Sequence, residues 1–185
     1  MAVIPTLTSN DFRGLLSQRF FDNFLPLPAT HSFAIGQPVA DFALPDITHS
    51  LTLRLSSYWG KSPVVLAFTR IFTEKQYCPL CFPHIKALNQ AYEQFQQAGA
   101  EVLMITSTDE EQSKQVVADL GIKMPLLSNP GCEVFRTYRT GQALGAPLPA
   151  QFVLDPQGRL RFRHLFSFLS NNASETTLLK VIKTL

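Results

Sequence analysis

Two cysteines, Cys78-Pro-Leu-Cys81, stand between an apolar run, Pro63-Val-Val-Leu-Ala-Phe68, and a segment with helical spacing. A sulfur at a helix start meets unpaired backbone N–H groups and the positive end of the helix dipole. Both favour thiolate over thiol at Cys78, and the thiolate is the nucleophile. Two intervening residues on a helical turn bring Cys81 within reach. Attack by Cys78 on an S–S or O–O bond can then be resolved by Cys81 as an intramolecular disulfide. Pro79 suits a first helical turn, where its missing N–H costs no bond. Pro83 suits it less well, and either bends the helix or moves its start later. Two other readings stay open: small core cysteines, or half of a zinc site with His84 as the nearby third ligand. A structural zinc site wants four ligands, and Cys132 falls on a different expected helix, so redox chemistry is preferred.

The elements that must position this pair fit one domain. The chain has 185 residues, 45% hydrophobic and 16% charged, with a formal net charge of +2. That composition is too apolar for a disordered chain. The near-neutral charge gives little support to a nucleic-acid or membrane-surface protein, because affinity for polyphosphate scales with basic contacts. No run of about 18 apolar residues predicts a membrane-spanning helix. Three cysteines are too few for a disulfide framework. The first residues lack a basic start followed by an apolar block, and the expectation is a cytoplasmic protein with reduced thiols.

Residues 1–32 read as a helical extension and residues 33–185 as the main domain. In the extension, Ser9, Asn10 and Asp11 offer N-caps. Phe12, Leu15, Leu16, Arg19, Phe20 and Phe24 follow with one apolar stripe, and Pro26 and Pro28 end it. Its polar face is not rich in Lys and Arg, so packing on the domain or on a second subunit is favoured over a membrane surface. In the main domain, Pro63–Phe68 is apolar on both faces, as a central strand requires. Ile85, Leu88, Tyr92 and Phe95 mark a helix that stops at Gly99. Val102-Leu-Met-Ile105 is a second buried strand, and strand–helix–strand at these lengths implies a right-handed crossover with parallel pairing. Thr108-Asp-Glu-Glu111 looks like a capping box for a helix ending at Gly121. Pro125-Leu-Leu127 is a short strand, and Asn129-Pro130 opens a helix carrying Val134, Phe135 and Tyr138. Gln151–Leu154 and Leu160–His164 flank the turn residues Asp155-Pro-Gln-Gly158 as a hairpin. Ser174 caps a last helix with Leu178, Ile182 and Leu185.

The stretch from Ile35 to about His164 resembles the alkyl hydroperoxide reductase/thiol-specific antioxidant (AhpC/TSA) family, the peroxiredoxin-like members of the thioredoxin superfamily. The matching segments are Gly36-Gln-Pro-Val-Ala-Asp-Phe-Ala-Leu-Pro-Asp46, Leu55-Ser-Ser-Tyr-Trp-Gly-Lys61, Pro63–Phe68, Leu126-Leu-Ser-Asn-Pro130 and Phe152-Val-Leu-Asp-Pro-Gln-Gly158. The resemblance implies an α/β thioredoxin-like fold, a central mixed sheet flanked by helices, with the N-terminal helical extension added. It implies a thiol-dependent peroxidase acting on hydrogen peroxide or alkyl hydroperoxides, or a protein disulfide reductase; a non-catalytic binding module is the third reading. It implies a thiol electron donor of thioredoxin or glutathione type, a homodimer as one option, and no cofactor. The pattern also departs from the family. Typical members place a Thr or Ser three residues before the attacking cysteine and a Pro four before that. Lys75 and Ile71 stand there relative to Cys78, and Cys78 and Glu74 relative to Cys81. The family's downstream Arg is replaced within Pro149-Ala-Gln151. The sequence is similar instead to the subgroup with Arg-…-Cys-Pro-x-Cys, in which Arg70 is the arginine and Ile71–Gln76 are extra residues.

The resemblance thus implies Cys78, Cys81 and Arg70 as catalytic, and Pro149 and Pro79 as substrate-binding. Pro149 occupies the place of the thioredoxin cis-proline, which presents backbone to a bound disulfide. Arg70 is read either as stabilising a thiolate or leaving oxygen or as a surface ion pair. His84 is a base or, preferably, a surface residue. Thr73 supplies the missing hydroxyl only if its loop folds back. Cys132 and Trp59 are assigned to packing, and Asp155 and Gly158 to a turn.

Overall fold

A computed structural model describes residues 14–185. Its seven-stranded mixed sheet runs in the order β11-β10-β3-β6-β7-β1-β2. The strands are β1 (Ala43–Asp46), β2 (Leu51–Arg54), β3 (Val64–Phe68), β6 (Glu101–Thr106), β7 (Leu126–Ser128), β10 (Ala150–Leu154) and β11 (Leu160–Leu165). Two small hairpins lie outside this sheet: β4 (Ile71–Thr73) with β5 (Gln76–Tyr77), and β8 (Gln142–Ala143) with β9 (Ala146–Pro147). The helices are α1 (Gln18–Asp22), α2 (Phe82–Gln97), α3 (Glu110–Leu120), α4 (Glu133–Thr137) and α5 (Glu175–Ile182).

Why β3 is central follows from its residues. All five are buried, and β-branched and aromatic side chains fit a pleated surface covered on both faces. Alternation splits them between two cores. Val65 and Ala67 face α2, α3 and α5, with Ile85, Leu88, Phe95, Val116 and Leu178. Val64, Leu66 and Phe68 face α4 and the segment leading into β1, with Phe135 and Tyr138. There Phe68 meets Phe135, Tyr138 and Phe152 at ring separations of 5.0, 5.2 and 5.7 Å. Such edge-to-face and tilted pairs add about 0.5–1.5 kcal/mol each beyond the area they bury. β6 pairs parallel with β3 and β7 parallel with β6, so their C-terminal ends open on one edge, where β3 hands over to the cysteines.

Several boundaries differ from the sequence expectation. α3 is capped by Asp109, whose carboxylate accepts from Gln112 N; Thr108 is buried in a hydroxyl chain with Thr106 and Ser113. α4 starts three residues after Pro130, because Cys132 takes a left-handed φ of +59° and turns the chain first; Asn129 Oδ1 still accepts from Val134 N at 3.0 Å. The extension helix is five residues long and capped by Ser17, where spacing predicts a helix from about residue 12. The expected caps Ser9, Asn10 and Asp11 lie outside the described residues. Two glycines seat this segment. A Cβ at Gly145 (φ +86°) would lie 2.0 Å from the Phe20 ring, and one at Gly141 (φ +79°) would lie 2.6 Å from backbone atoms of Leu27 and Ala29. Leu27 and Gln142 exchange backbone hydrogen bonds across the same contact.

Candidate active site

β3 ends at Phe68, and the cysteines begin ten positions later. The extra residues form the β4–β5 hairpin, in which Ile71 pairs with Tyr77 and Thr73 with Gln76. A hairpin starts and finishes at the same place. Cys78 N–H therefore donates to Arg70 carbonyl at 3.3 Å, and the insertion leaves the sulfur beside the end of β3. The hydroxyl that Thr73 would supply only if its loop folded back is engaged within the hairpin. It accepts from Lys75 N at 3.3 Å and closes its own turn.

From Cys78 the chain makes one turn, with Cys81 N and Phe82 N both donating to Cys78 carbonyl at 3.0 Å. α2 then begins with Cys81 as its N-cap residue and Pro83 in the first turn. Pro83 thus occupies the position expected for Pro79, which lies before the helix and is exposed. The shift is harmless because a first-turn residue has no intrahelical acceptor for its N–H.

All three cysteines are free thiols. Cys78 is 6% exposed and Cys81 0%. The Cys78 thiol is pulled down to about 6. Hydrogen bonding from the Cys81 thiol is the largest cause, opposed by burial and aided by the N–H groups of Leu80 and Cys81 and by the Arg70 charge. Cys81 moves the other way, because it donates to Cys78, is buried and faces the Cys78 charge. The asymmetry has a simple origin. Two unit charges ~4 Å apart repel by about 4 kcal/mol at an effective dielectric near 20, so the pair keeps one proton, and the better-solvated sulfur gives up its own.

Arg70 is half-buried. Its guanidinium stacks over the Phe72 ring at 4.7 Å, and Nη2 donates to the carbonyls of Ala143 and Leu144 in the β8–β9 turn. Burial lowers its pKa while the charges of the two nearby cysteines raise it. No carboxylate pairs with it among the described residues, so the surface ion-pair reading is set aside. The turn that receives it is tight: Leu144 holds a φ of +51° and Gly145 one of +86°, as a two-residue hairpin loop requires.

His84 is neither a base facing the sulfurs nor a surface residue. It is buried, its Nε2 lies 2.9 Å from the Ala173 carbonyl, and burial pulls it down to about 4. The neutral ring donates and ties α2 to the residue before the α5 cap. The expected zinc alternative loses its third ligand to this bond, and no group of three or more His, Cys, Asp or Glu could hold a metal among the described residues. Pro149 is buried one residue before β10, whose Ala150 pairs with Phe68. Every described peptide bond is trans, which corrects the expected cis form. Two residues, Leu148 and Pro149, link β9 to β10, and trans is the ordinary state of X–Pro.

Sequence reasoning missed the polar frame around the Cys-x-x-Cys loop. Gln151 is fully buried in β10; its side chain donates to Asn172 Oδ1 at 2.9 Å and accepts from Ala173 N at 2.8 Å. Asn172 then donates to Leu80 carbonyl, between the cysteines, at 3.1 Å. A glutamine inside an apolar strand was the available signal, since buried polar groups need partners. Arg19 was also missed. From α1 it donates to the carbonyls of Ser107 and Phe72, and so stitches the extension to the hairpin that carries the site. Trp59 packs over Gly158, where an added Cβ would lie 2.6 Å from the indole Nε1.

A central mixed sheet flanked by helices, with a buried dithiol after its central strand, defines a thioredoxin-like thiol oxidoreductase. Residues 35–163 match the AhpC/TSA family, and the chain belongs to it. Chloroplastic peroxiredoxin Q of Populus jackii is 29% identical over 152 residues, covering 81% of this chain and 68% of that protein. The thiol-disulfide oxidoreductase ResA of Geobacillus thermodenitrificans is 26% identical over 129 residues, covering 69% and 67%. Among solved structures, the peroxidoxin BcpB of Mycobacterium tuberculosis superposes with a TM-score of 0.69 at 21% identity, covering 83% of this chain and 98% of that one. No helix among the described residues is long and apolar enough to cross a membrane.

Proposed function

We propose that this oxidoreductase is a peroxidase that reduces hydrogen peroxide or an alkyl hydroperoxide through a Cys78–Cys81 dithiol/disulfide cycle. The observation that carries the reading is the Cys78–Cys81 pair one turn apart at the end of the central strand, with Cys78 pulled down to about 6 by the Cys81 thiol and with an arginine that has no carboxylate partner among the described residues. Cys78 thiolate attacks one peroxide oxygen. The O–O bond breaks, its electron pair leaves on the other oxygen as alkoxide or hydroxide, and that oxygen takes a proton. Cys78 becomes a sulfenic acid. Its negative charge is then gone, which removes the largest cause that holds the proton on Cys81 and leaves burial. Cys81 attacks the sulfenic sulfur, an S–S bond forms, and the hydroxyl leaves as water with the Cys81 proton. A thioredoxin- or glutathione-type thiol donor returns the two electrons by exchange. Arg70 faces the charge on the sulfur and on the departing oxygen. The cycle needs a compartment that supplies such a donor and keeps thiols reduced, and we place it in the cytoplasm on that ground.

Disulfide exchange is the second reading. It is favoured by the similarity to ResA and by the exposed Leu80 between the two cysteines, 50% accessible, where a protein substrate would approach. One experiment separates the two. Reduced protein is mixed with one equivalent of peroxide, or with a protein disulfide, and free thiols are followed with Cys78→Ser and Cys81→Ser alongside. Fast loss of two thiols to peroxide, with a trapped sulfenic acid only in Cys81→Ser, supports the peroxidase. No reaction with peroxide but fast reduction of the disulfide supports exchange.

A further inference from the structure

The extension and α4 enclose a cleft of about 190 Å³ that the thiol chemistry does not use. Leu27, Pro28 and Thr30 line it from the extension, and no residue of the Cys78–Cys81 loop borders it. Its floor is buried: Cys132 is 1% exposed, Phe135 2% and Asn23 3%. The polar groups on that floor already hold protein partners. Asn23 Nδ2 donates to the Arg19 carbonyl at 2.8 Å, and Cys132 Sγ donates to the Pro130 carbonyl at 3.6 Å. A ligand therefore has no polar group to satisfy there, and the floor suits an apolar tail. The outer wall is pinned to the domain, because Thr30 N–H donates to the Arg139 carbonyl at 3.0 Å and Leu27 exchanges backbone bonds with Gln142.

The rim has the opposite character. Arg136 and Arg139 border the cleft and are exposed, and no Asp or Glu borders it. Arg136 shares its guanidinium with the Gly131 carbonyl at 2.6 Å and with Glu133 at 4.0 Å. Arg139 has no ion-pair partner among the described residues. We propose that this cleft binds a small amphipathic monocarboxylate, its tail on Phe135 and Cys132 and its carboxylate against Arg139, with Arg136 as the weaker second donor. Charge complementarity selects the head group, since a site bordered by two cations and no anion favours an anionic ligand. A bare inorganic anion would leave the apolar floor wet, and an uncharged tail would leave Arg139 unpaired. Size selects the tail. An apolar cavity of about 150 Å³ takes benzene, so this cleft takes a ring or chain of about six to eight carbons. The proposal is independent of whether the dithiol acts on peroxides or on disulfides.

Calorimetric titration of the reduced full chain with octanoate tests this. Saturable binding at one site with a Kd of about 0.1–1 mM is expected for a ligand of about ten heavy atoms. Octanamide has the same shape without the charge and should bind about 3- to 10-fold more weakly, and acetate, the charge without the tail, should not saturate. Arg139→Asn removes the charge and keeps a residue that tolerates the left-handed φ of +52° at this position. It should weaken octanoate about 3- to 10-fold and leave octanamide within about twofold. Because both ligands are read in one protein, a general loss of structure is told apart from a lost charge. Thr30→Trp fills the cleft from an exposed position and keeps the backbone bond to Arg139, and it should abolish octanoate binding. Equal affinity of the parent for octanoate and octanamide would overturn the proposal. So would equal weakening of both by Arg139→Asn, undiminished binding by Thr30→Trp, or no saturation at about tenfold above the expected range. Each of these outcomes leaves the reading of the dithiol untouched.

Discussion

Cys78 and Cys132 are both buried thiols near an arginine, at 6% and 1% exposure, yet their acidities run in opposite directions. At Cys78 the Cys81 thiol and two backbone N–H groups converge on the sulfur, and the thiol titrates near 6. At Cys132 the sulfur donates to Pro130 carbonyl at 3.6 Å and receives one long contact from Asn23 Nδ2 at 3.7 Å. Burial there dominates the help from Arg19 and raises the pKa. The arginines do not make the difference. Arg19 and Arg70 are alike in donating to backbone carbonyls. What separates the two thiols is the number of short-range donors that the Cys-x-x-Cys turn aims at one sulfur.

The contrast can be broken most directly by substitution. Cys78→Ser should slow oxidation by peroxide or a small disulfide by at least ~10³-fold, because a serine hydroxyl is not ionised near neutral pH. Cys132→Ser should leave the same rate within about twofold. Single-turnover thiol loss measures both, and a large loss in Cys132→Ser would sink the distinction.

The order of causes at Cys78 gives a finer test. Cys81→Ala removes the largest one and should raise the Cys78 titration midpoint more than Arg70→Met does. Absorbance at 240 nm in a Cys132→Ser background follows this. The opposite ranking would return the leading role to the arginine.

A third prediction concerns pH. Alkylation of Cys78 by iodoacetamide should rise through about pH 6 and then level off, while Cys132 stays unreactive until the protein unfolds. Linkage adds a sign to this. The native Cys78 pKa lies near 6 and the ordinary value near 9, so between these the unfolded state binds the extra proton. The stability of the reduced protein over Cys78→Ser is therefore full above about pH 9. It shrinks as pH falls toward 6 and is absent below. Urea midpoints of the two proteins across pH 5–9 would show whether the gap closes in that direction.

The smallest effect is expected at the extension. Arg19→Met removes the bonds to Ser107 and Phe72 carbonyls, which should cost about 1–3 kcal/mol in stability and make Cys132 easier to alkylate. The Cys78 titration should stay where it is. Denaturant unfolding and a two-site alkylation assay check the pair of outcomes.

Much of this molecule could be read from residue order. The apolar run ending at Phe68, the 3–4–3 spacing of Ile85, Leu88, Tyr92 and Phe95, and the Asp155–Gly158 turn each carry a local period or turn chemistry strong enough to specify β3, α2 and the β10–β11 hairpin. The nearness of Cys78 to Cys81 is equally local, because two residues of turn leave the sulfurs little room to separate. Tertiary structure decided the rest. Hairpin closure from Ile71 to Tyr77 returns Cys78 to Arg70 across an insertion whose sequence shows no such return. Burial made His84 a neutral tie to Ala173, and Asn172 reaches Leu80 from 92 positions away. Such pairings depend on which chain ends meet at the open edge of the sheet, and a sequence-local pattern holds no record of that meeting. Which of three cysteines becomes acidic is settled in the same way, by the donors that surround each sulfur once the chain has closed around it.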